Sequence, residues 1–214
     1  MAQPLTYKKM AKSYKIKTKK LIELEEHMDS LESVSTDTKR HLLAHEAVLE
    51  CFTLLLQQEK FICIAQEIYR KCKDILGTTS GYVALVEHSG KCLDVIHLDT
   101  GGQQCTITYE SPMPIRGLRR ETLQKGITLC CNNFRTSKWL KFLPKGHVQL
   151  HNVLFAPMVI EEVPVGLLGF ANKPKDFDQD DMRIATSFAK LTALALSNSK
   201  AWHVMKKTGL HKVA

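Results

Sequence analysis

The sequence predicts an α+β fold, an antiparallel sheet of about six short strands with helices on both faces, preceded by a long N-terminal helix. Three observations carry this. Residues 1–76 hold no glycine and a single proline, Pro4, which suits uninterrupted helix. From residue 77 onward, glycines and turn residues punctuate short apolar runs, the pattern of strands joined by tight turns. After residue 178 the apolar residues return to steps of three and four, a helical spacing. Mostly short strand connections favour antiparallel pairing with helices laid on the sheet.

The first helix carries a stripe. Leu21, Leu24, Met28 and Leu31 alternate in steps of three and four, and the same phase continues through Ser35, Thr38, Leu42, His45, Leu49, Phe52 and Leu56. Such steps average 3.5 residues per turn and keep one side of a supercoiled helix apolar. The polar Ser35, Thr38 and His45 weaken the seam and set its register. The expectation is a parallel dimeric coil over 21–40 that runs into the first helix of a domain. The alternative is one amphipathic helix lying on its own domain, with a break near 33–37. A second helix is expected over 59–76, with Phe61, Ile64, Ala65, Ile68, Cys72 and Ile75 on its apolar face and Gly77 as its stop.

Strands are expected over 81–87 (GYVALVE) and 91–98 (KCLDVIHL), joined by the turn His88-Ser89-Gly90. A further strand is expected over 105–109, and a short extended piece at 113–115, because a residue before proline avoids the helical region. A short helix over 117–125 ends at Gly126. A strand follows over 127–131, then the loop Asn132-Asn133, then a short helix over 137–143 stopped by Pro144. Residues 153–160 and 165–171 form a hairpin around Glu161-Glu162. The final helix is expected over 179–205.

Composition bounds the function. The chain has 214 residues and is 44% apolar, enough for one domain with extensions. No run approaches the roughly 18 apolar residues of a membrane span, and no signal-peptide core follows the basic N-terminus. A soluble, cytoplasmic protein is expected. Seven cysteines, an odd number with no C-x-x-C pair, indicate neither a disulfide framework nor a zinc site. The formal net charge is +8, but residues 1–20 carry seven lysines and no acid, and residues 200–214 four lysines and no acid. The basicity sits in two tails rather than on a folded face, so no specific nucleic-acid partner is expected.

The segment GLLGFANKPKDFDQDD, residues 166–181, has the chemistry of a strand-to-helix joint. A near-continuous apolar strand belongs inside the sheet. Asn172 tolerates a turn conformation and Pro174 ends the strand. The acids at 178, 180 and 181 sit where a helix dipole favours negative charge. Phe177 can fold back as a staple, and Lys173 can pair with Asp181 across the loop.

With these residues in view, 151–196 (HNVLFAPMVIEEVPVGLLGFANKPKDFDQDDMRIATSFAKLTALAL) resembles the C-terminal half of a GAF domain. The hairpin, the Asn-Lys-Pro ending followed by Phe and acids, and the alanine-rich helix carry the match. Upstream, 113–144 resembles the family's Gly-helix-Gly-strand segment. The resemblance covers roughly 41–199. It divides the chain into a basic tail (1–20), a coiled-coil-like helix (21–40), the GAF-like domain (41–199) and a C-terminal extension with a second basic tail (200–214).

The resemblance implies a small-molecule-binding module of a signalling protein, often dimerising through its first and last helices. Leu24, Met28, Leu31, Leu42, Leu49, Phe188, Leu191 and Trp202 are the expected interface. Some cyclic-nucleotide-binding members carry Asn-Lys…Phe-x-x-x-Asp-Glu. Asn172, Lys173, Phe177 and Asp181 fall on its positions, but Met182 replaces the Glu, so a cyclic nucleotide is one candidate ligand among others.

The resemblance places a pocket between the sheet and the short helices, under 132–146. Trp139 and Phe142 offer stacking surfaces, Arg116 can pair an anion, and His151 follows the same loop. Asn133 falls where many members carry Asp, which disfavours a cationic ligand. The expected partners are a second copy of the chain and an unidentified output protein. The alternative is a ligand-free dimerisation scaffold.

Catalysis has little in its favour. No Gly-x-Ser-x-Gly, phosphate-binding Gly-Lys loop or His-Glu-x-x-His motif is present. One branch of the resembled family reduces free methionine sulfoxide with cysteines, and adjacent Cys130 and Cys131 prompt the comparison. Neighbours on a strand point to opposite faces, so only one can enter a pocket. His147 and His151 are four apart, a metal-binding spacing only on a helix, and Pro144 and Gly146 make this a loop. No metal is expected.

Overall fold

The computed structural model describes residues 4–56, 60–105 and 113–199; in the first helix, side chains are described from residue 19 onward, leaving out 21, 25, 27 and 29–33. Two units are distinguished, Met1–Leu43 and Ala44–Ala214.

The first helix, α1, spans Pro4–Leu56. Residues 4–20, expected as a tail, are therefore helical. Pro4 stands at the first helical position, where proline's fixed φ is favourable, and lysine and alanine are good helix formers. Residues 33–37 are also helical, without the break that the alternative reading needed. In the first unit Leu24, Met28 and Leu42 are exposed.

In the second unit, the end of α1 turns Ala44, Ala47 and Cys51 into the core, while Leu49, Phe52 and Leu56 face outward. The small residues Ala44, Ala47 and Cys51 share one core cluster with helix α2, Phe61–Leu76. Gly77 ends α2 in the left-handed conformation and donates back to the Asp74 carbonyl, as a glycine cap does.

Among the described residues the sheet has six antiparallel strands in the order β3-β2-β1-β6-β5-β4. These are β1 (Ser80–Val86), β2 (Cys92–Asp99), β3 (Met113–Pro114), β4 (Leu129–Cys131), β5 (Val153–Ile160) and β6 (Val163–Ala171). The central strands β1, β6 and β5 are apolar on both faces because both are covered. On one face Val83, Leu154, Ala156, Leu168 and Phe170 meet α2 and the last helix, α4 (Gln179–Ser197). On the other, Tyr82, Ala84, Val153, Phe155 and Leu167 meet helix α3 (Leu118–Lys125) and the loop after β4.

Several expectations shift. Of the strand expected over 105–109, only Cys105 lies within the described residues. The fourth strand is shorter than expected, and the helix expected over 137–143 is reduced to a 3₁₀ turn at Leu140–Phe142, preceded by another at Phe134–Thr136. The loop is too short of periodic apolar residues to sustain α-helix. Phe188 and Leu191, expected at a subunit interface, are instead 0% and 4% exposed in the domain's own core. The apolar stripe of α4 covers α2 and the sheet, which takes both residues out of any intersubunit surface. Trp202 lies outside the described residues, as does the side chain of Leu31.

Candidate ligand cavity

The strand-to-helix joint holds the floor of the second unit together. Asn172 adopts a positive φ of 59°. Its Oδ1 accepts from the His151 backbone N–H at 2.9 Å and its Nδ2 donates to the Gln149 carbonyl at 2.9 Å. Asn152 clamps the next residue: its Oδ1 accepts from Lys173 N–H at 2.9 Å, and its Nδ2 donates to the Lys173 and Lys175 carbonyls at 3.0 Å. Asn132 makes the same two-sided contact with the backbone of Phe177.

Lys173 pairs with Asp181, whose side chain is fully buried. Asp178 and Asp181 form a reciprocal capping box at the start of α4, each side chain accepting from the other's backbone N–H. Here Asn172, Lys173, Phe177 and Asp181 hold the joint, and none of the four lines the cavity. The roles of Asn132 and Asn152 were not foreseen. An asparagine in a loop carries no periodic signal; it is the separate ends of the chain brought side by side that give it partners.

On the opposite face of the sheet lies a cavity. Strands β1, β5 and β6 form its base through Tyr82, Phe155, Gly169 and Ala171. The start of α3 contributes Gly117, Leu118 and Arg119, and the loop after β4 covers it with Phe134, Trp139, Phe142, His147 and Val148.

Two glycines shape it. A Cβ on Gly169 would lie 2.6 Å from the Tyr82 ring, so only glycine lets that ring lie flat across β6. A Cβ on Gly117, where φ is 63°, would lie 2.8 Å from the Phe142 ring. The Trp139 and Phe142 rings stack with centroids 6.4 Å apart, and Tyr82 and Phe155 approach at 6.2 Å.

Of the five residues expected to bind a ligand, Arg116, Trp139 and Phe142 line the cavity. Asn133 and His151 are exposed and do not line it; the loop turns Phe134 inward instead, and His151 spends its backbone on the joint. The Arg116 guanidinium is already engaged, donating to the Phe142 carbonyl at 2.9 Å and lying 5.8 Å from that ring's centre.

Of the polar groups of greatest interest, the sequence reading weighed only His147, as a metal ligand, and passed over Tyr82 and Asp99. Burial pushes the pKa of the Tyr82 hydroxyl up, opposed by the charge of Arg119 and by a side-chain hydrogen bond with it. His147 is held below the ordinary imidazole range, first by burial and further by Arg119, against the hydrogen bond to Val148. Its Nδ1 sits 2.8 Å from the Val148 carbonyl, so the Nδ1–H tautomer leaves Nε2 as the acceptor. Asp99, the one acid among the described lining residues, pairs with Lys73 at 2.5 Å.

Cys105 lines the cavity, whereas the adjacent cysteine pair stands apart from it. Cys130 and Cys131 face opposite sides of the sheet, and neither lines the cavity. Cys130 donates to the Met182 sulfur at 3.8 Å, and burial raises its pKa. Burial also holds Cys51 up at about 11. Such thiols remain protonated and inert. No group of three or more metal-ligating side chains occurs among the described residues, and no helix among them is long and apolar enough to cross a membrane.

The family model for the GAF domain matches residues 64–197. Among solved structures, the GAF domain of an Acinetobacter phosphoenolpyruvate-protein phosphotransferase is similar at 13% identity and a TM-score of 0.62, covering 73% of this chain and 93% of that one. A free methionine-R-sulfoxide reductase from Neisseria meningitidis, solved with its substrate, is similar at 13% identity and a TM-score of 0.61, covering 75% and 91%. The phycoerythrobilin-bound GAF domain of a cyanobacterial phytochrome is similar at 14% identity and a TM-score of 0.63, covering 75% and 97%. At such identities the likeness establishes the fold alone. No curated protein matches the sequence.

Proposed function

Because this chain belongs to the GAF domain family, commonly a ligand-binding sensor module, we propose that it is a regulatory module that binds a small molecule in the cavity over β1, β5 and β6. It dimerises through α1 and signals, in the cytoplasm, to a separate output protein. The observation that carries the reading is the cavity itself. Aromatic rings wall it, and glycines at 117 and 169 let the Phe142 and Tyr82 rings pack into that wall. A mostly apolar concavity with a few convergent polar groups is what a small-molecule site requires.

A binding role is favoured over catalysis by the cysteines. The sulfoxide reductase among the similar structures acts on free methionine sulfoxide. In this chain the adjacent pair is split across the sheet, and Cys130 has its thiol pKa raised rather than lowered. The dimer reading rests on the outward stripe of α1. Leu24, Met28, Leu42 and Leu49 are each more than half exposed, while the same helix uses Ala44, Ala47 and Cys51 for its own core. An exposed apolar row of this length favours a partner helix.

A native mass spectrum of freshly purified protein tests the reading. The expected result is a dimer carrying added small-molecule mass, with the added mass lost in Trp139→Ala. A dimer at bare mass that takes up no ligand from a metabolite mixture identifies a scaffold instead.

A further inference from the structure

We propose that the first turns of α1 form a docking face for a membrane surface rich in anionic phospholipid. The face belongs to the first unit and is independent of the ligand-binding reading above.

Its charge is the first argument. Residues 1–22 hold seven lysines and no acid, and from Pro4 onward they belong to one α-helix. Lys8, Lys12, Lys15 and Lys19 step by four, three and four, so they share one face of that helix over about 16 Å. Lys9 and Lys20 widen the row. The seam phase of Leu21, Leu24, Met28 and Leu31, carried back in the same steps, falls at Lys17, Tyr14, Met10 and Tyr7, round the other side of the helix. The lysine row therefore lies outside a coil, and a dimer carries two such rows. The Lys19 side chain is 81% exposed, and its contact with Glu23 at 3.8 Å is a solvated pair of small worth.

Apolar positions on the same face decide the partner. Round the helix, Leu5 and Ile16 fall between Lys12 and Lys9, and Ile22 follows Lys19 in the row and is half exposed. A helix that only meets phosphates through water gains nothing from Leu and Ile there. One lying on headgroups buries them at the acyl boundary while the lysine ammonium groups stay at the charged surface. Arginine is absent before Arg40. Nucleic-acid faces draw on arginine for bidentate contacts to phosphate and guanine, whereas lysine, a compact point charge, suits a diffuse negative surface. The row also has an end. Its next positions are Glu26 and Asp29, which such a surface repels, so about five helical turns lie on the membrane and the rest of α1 leads away from it.

Flotation of the full chain with vesicles tests the proposal, phosphatidylcholine alone against an equal mixture of phosphatidylcholine and phosphatidylserine. The expected result is that only the mixed vesicles carry the chain, with affinity falling about tenfold or more as salt rises from low to near-molar. The joint replacement Lys8→Gln, Lys12→Gln, Lys15→Gln and Lys19→Gln should weaken binding about a hundredfold or more, with helix content by circular dichroism retained because glutamine is as good a helix former. The same charge removed from exposed lysines of the second unit, Lys60→Gln, Lys91→Gln, Lys175→Gln and Lys190→Gln, should leave most of the affinity in place. Leu5→Gln with Ile16→Gln should weaken the hold on vesicles and leave any binding to duplex DNA unchanged.

An equal loss from the second set of lysines would mean that net charge alone is at work and would overturn the face. So would flotation with phosphatidylcholine alone, or no flotation with either vesicle. Tighter binding of duplex DNA than of mixed vesicles at equal phosphate, lost in the α1 lysine variant, assigns a nucleic acid and overturns the membrane.

Discussion

His147 and His97 show how burial sets the acid side of this protein's stability. Burial is the leading cause that depresses both imidazoles. For His97, Asp99 opposes it and Lys73 adds to it; its Nδ1 has no partner among the described residues and its ring meets Tyr69 edge-on at 4.9 Å. A folded-state pKa below the unfolded value of about 6.5 means the unfolded chain binds more protons in that window. Stability should therefore fall as pH drops from about 7 to 5.5, before most carboxylates titrate. The replacement of both histidines by Gln should flatten that slope in urea melts at stepped pH. A slope unchanged by the double substitution would show that neither histidine is linked to folding.

At the scale of elements, the joint between β6 and α4 holds a buried ion pair. Asp181 is fully buried, and it receives Lys173, the Asp178 backbone N–H and the cap of its own helix. Removal of one partner from a buried ion pair leaves a charge without compensation. Asp181→Ala should cost about 3 kcal/mol, read from the midpoint of a denaturant melt, whereas Asp178→Ala should cost about 1 kcal/mol, as a lost helix cap does. Equal small losses would mean the pair is solvated in solution. The joint was largely legible in the sequence because its parts are neighbours: Asn-Lys-Pro, Phe177 and the acids stand within ten residues. Asn132 and Asn152 were not legible, because their partners lie 45 and 21 residues away.

At the scale of the molecule, the orientation of each apolar stripe decides what it can bind. On α4 the stripe with Phe188 and Leu191 is wholly used by the domain core. On α1 the stripe with Leu42 and Leu49 points outward. Both stripes have the same spacing in the sequence. The double variant Leu42→Lys, Leu49→Lys should therefore convert a dimer to monomer in sedimentation velocity at micromolar concentration, with the near-UV spectrum of the domain retained. Sedimentation of the unsubstituted chain as a monomer at that concentration would remove the case for a coil.

By itself the sequence determined the elements whose signals are local. Glycines ended α2 and α3, alternation and turn residues marked β1, β2 and the β5–β6 hairpin, and helical periodicity marked α2 and α4. It also placed Arg116, Trp139 and Phe142 near one loop. Only the tertiary structure decided which side of each stripe is inside, that Asn133 and His151 face away from the cavity, and that Tyr82, Arg119 and His147 share one wall of it. The physical reason is that spacing along a helix or strand fixes which residues share a face, but not what that face meets. That is settled when strands far apart in the chain, such as β1 and β6, pair Tyr82 with Gly169 and set the Tyr82 hydroxyl beside an arginine.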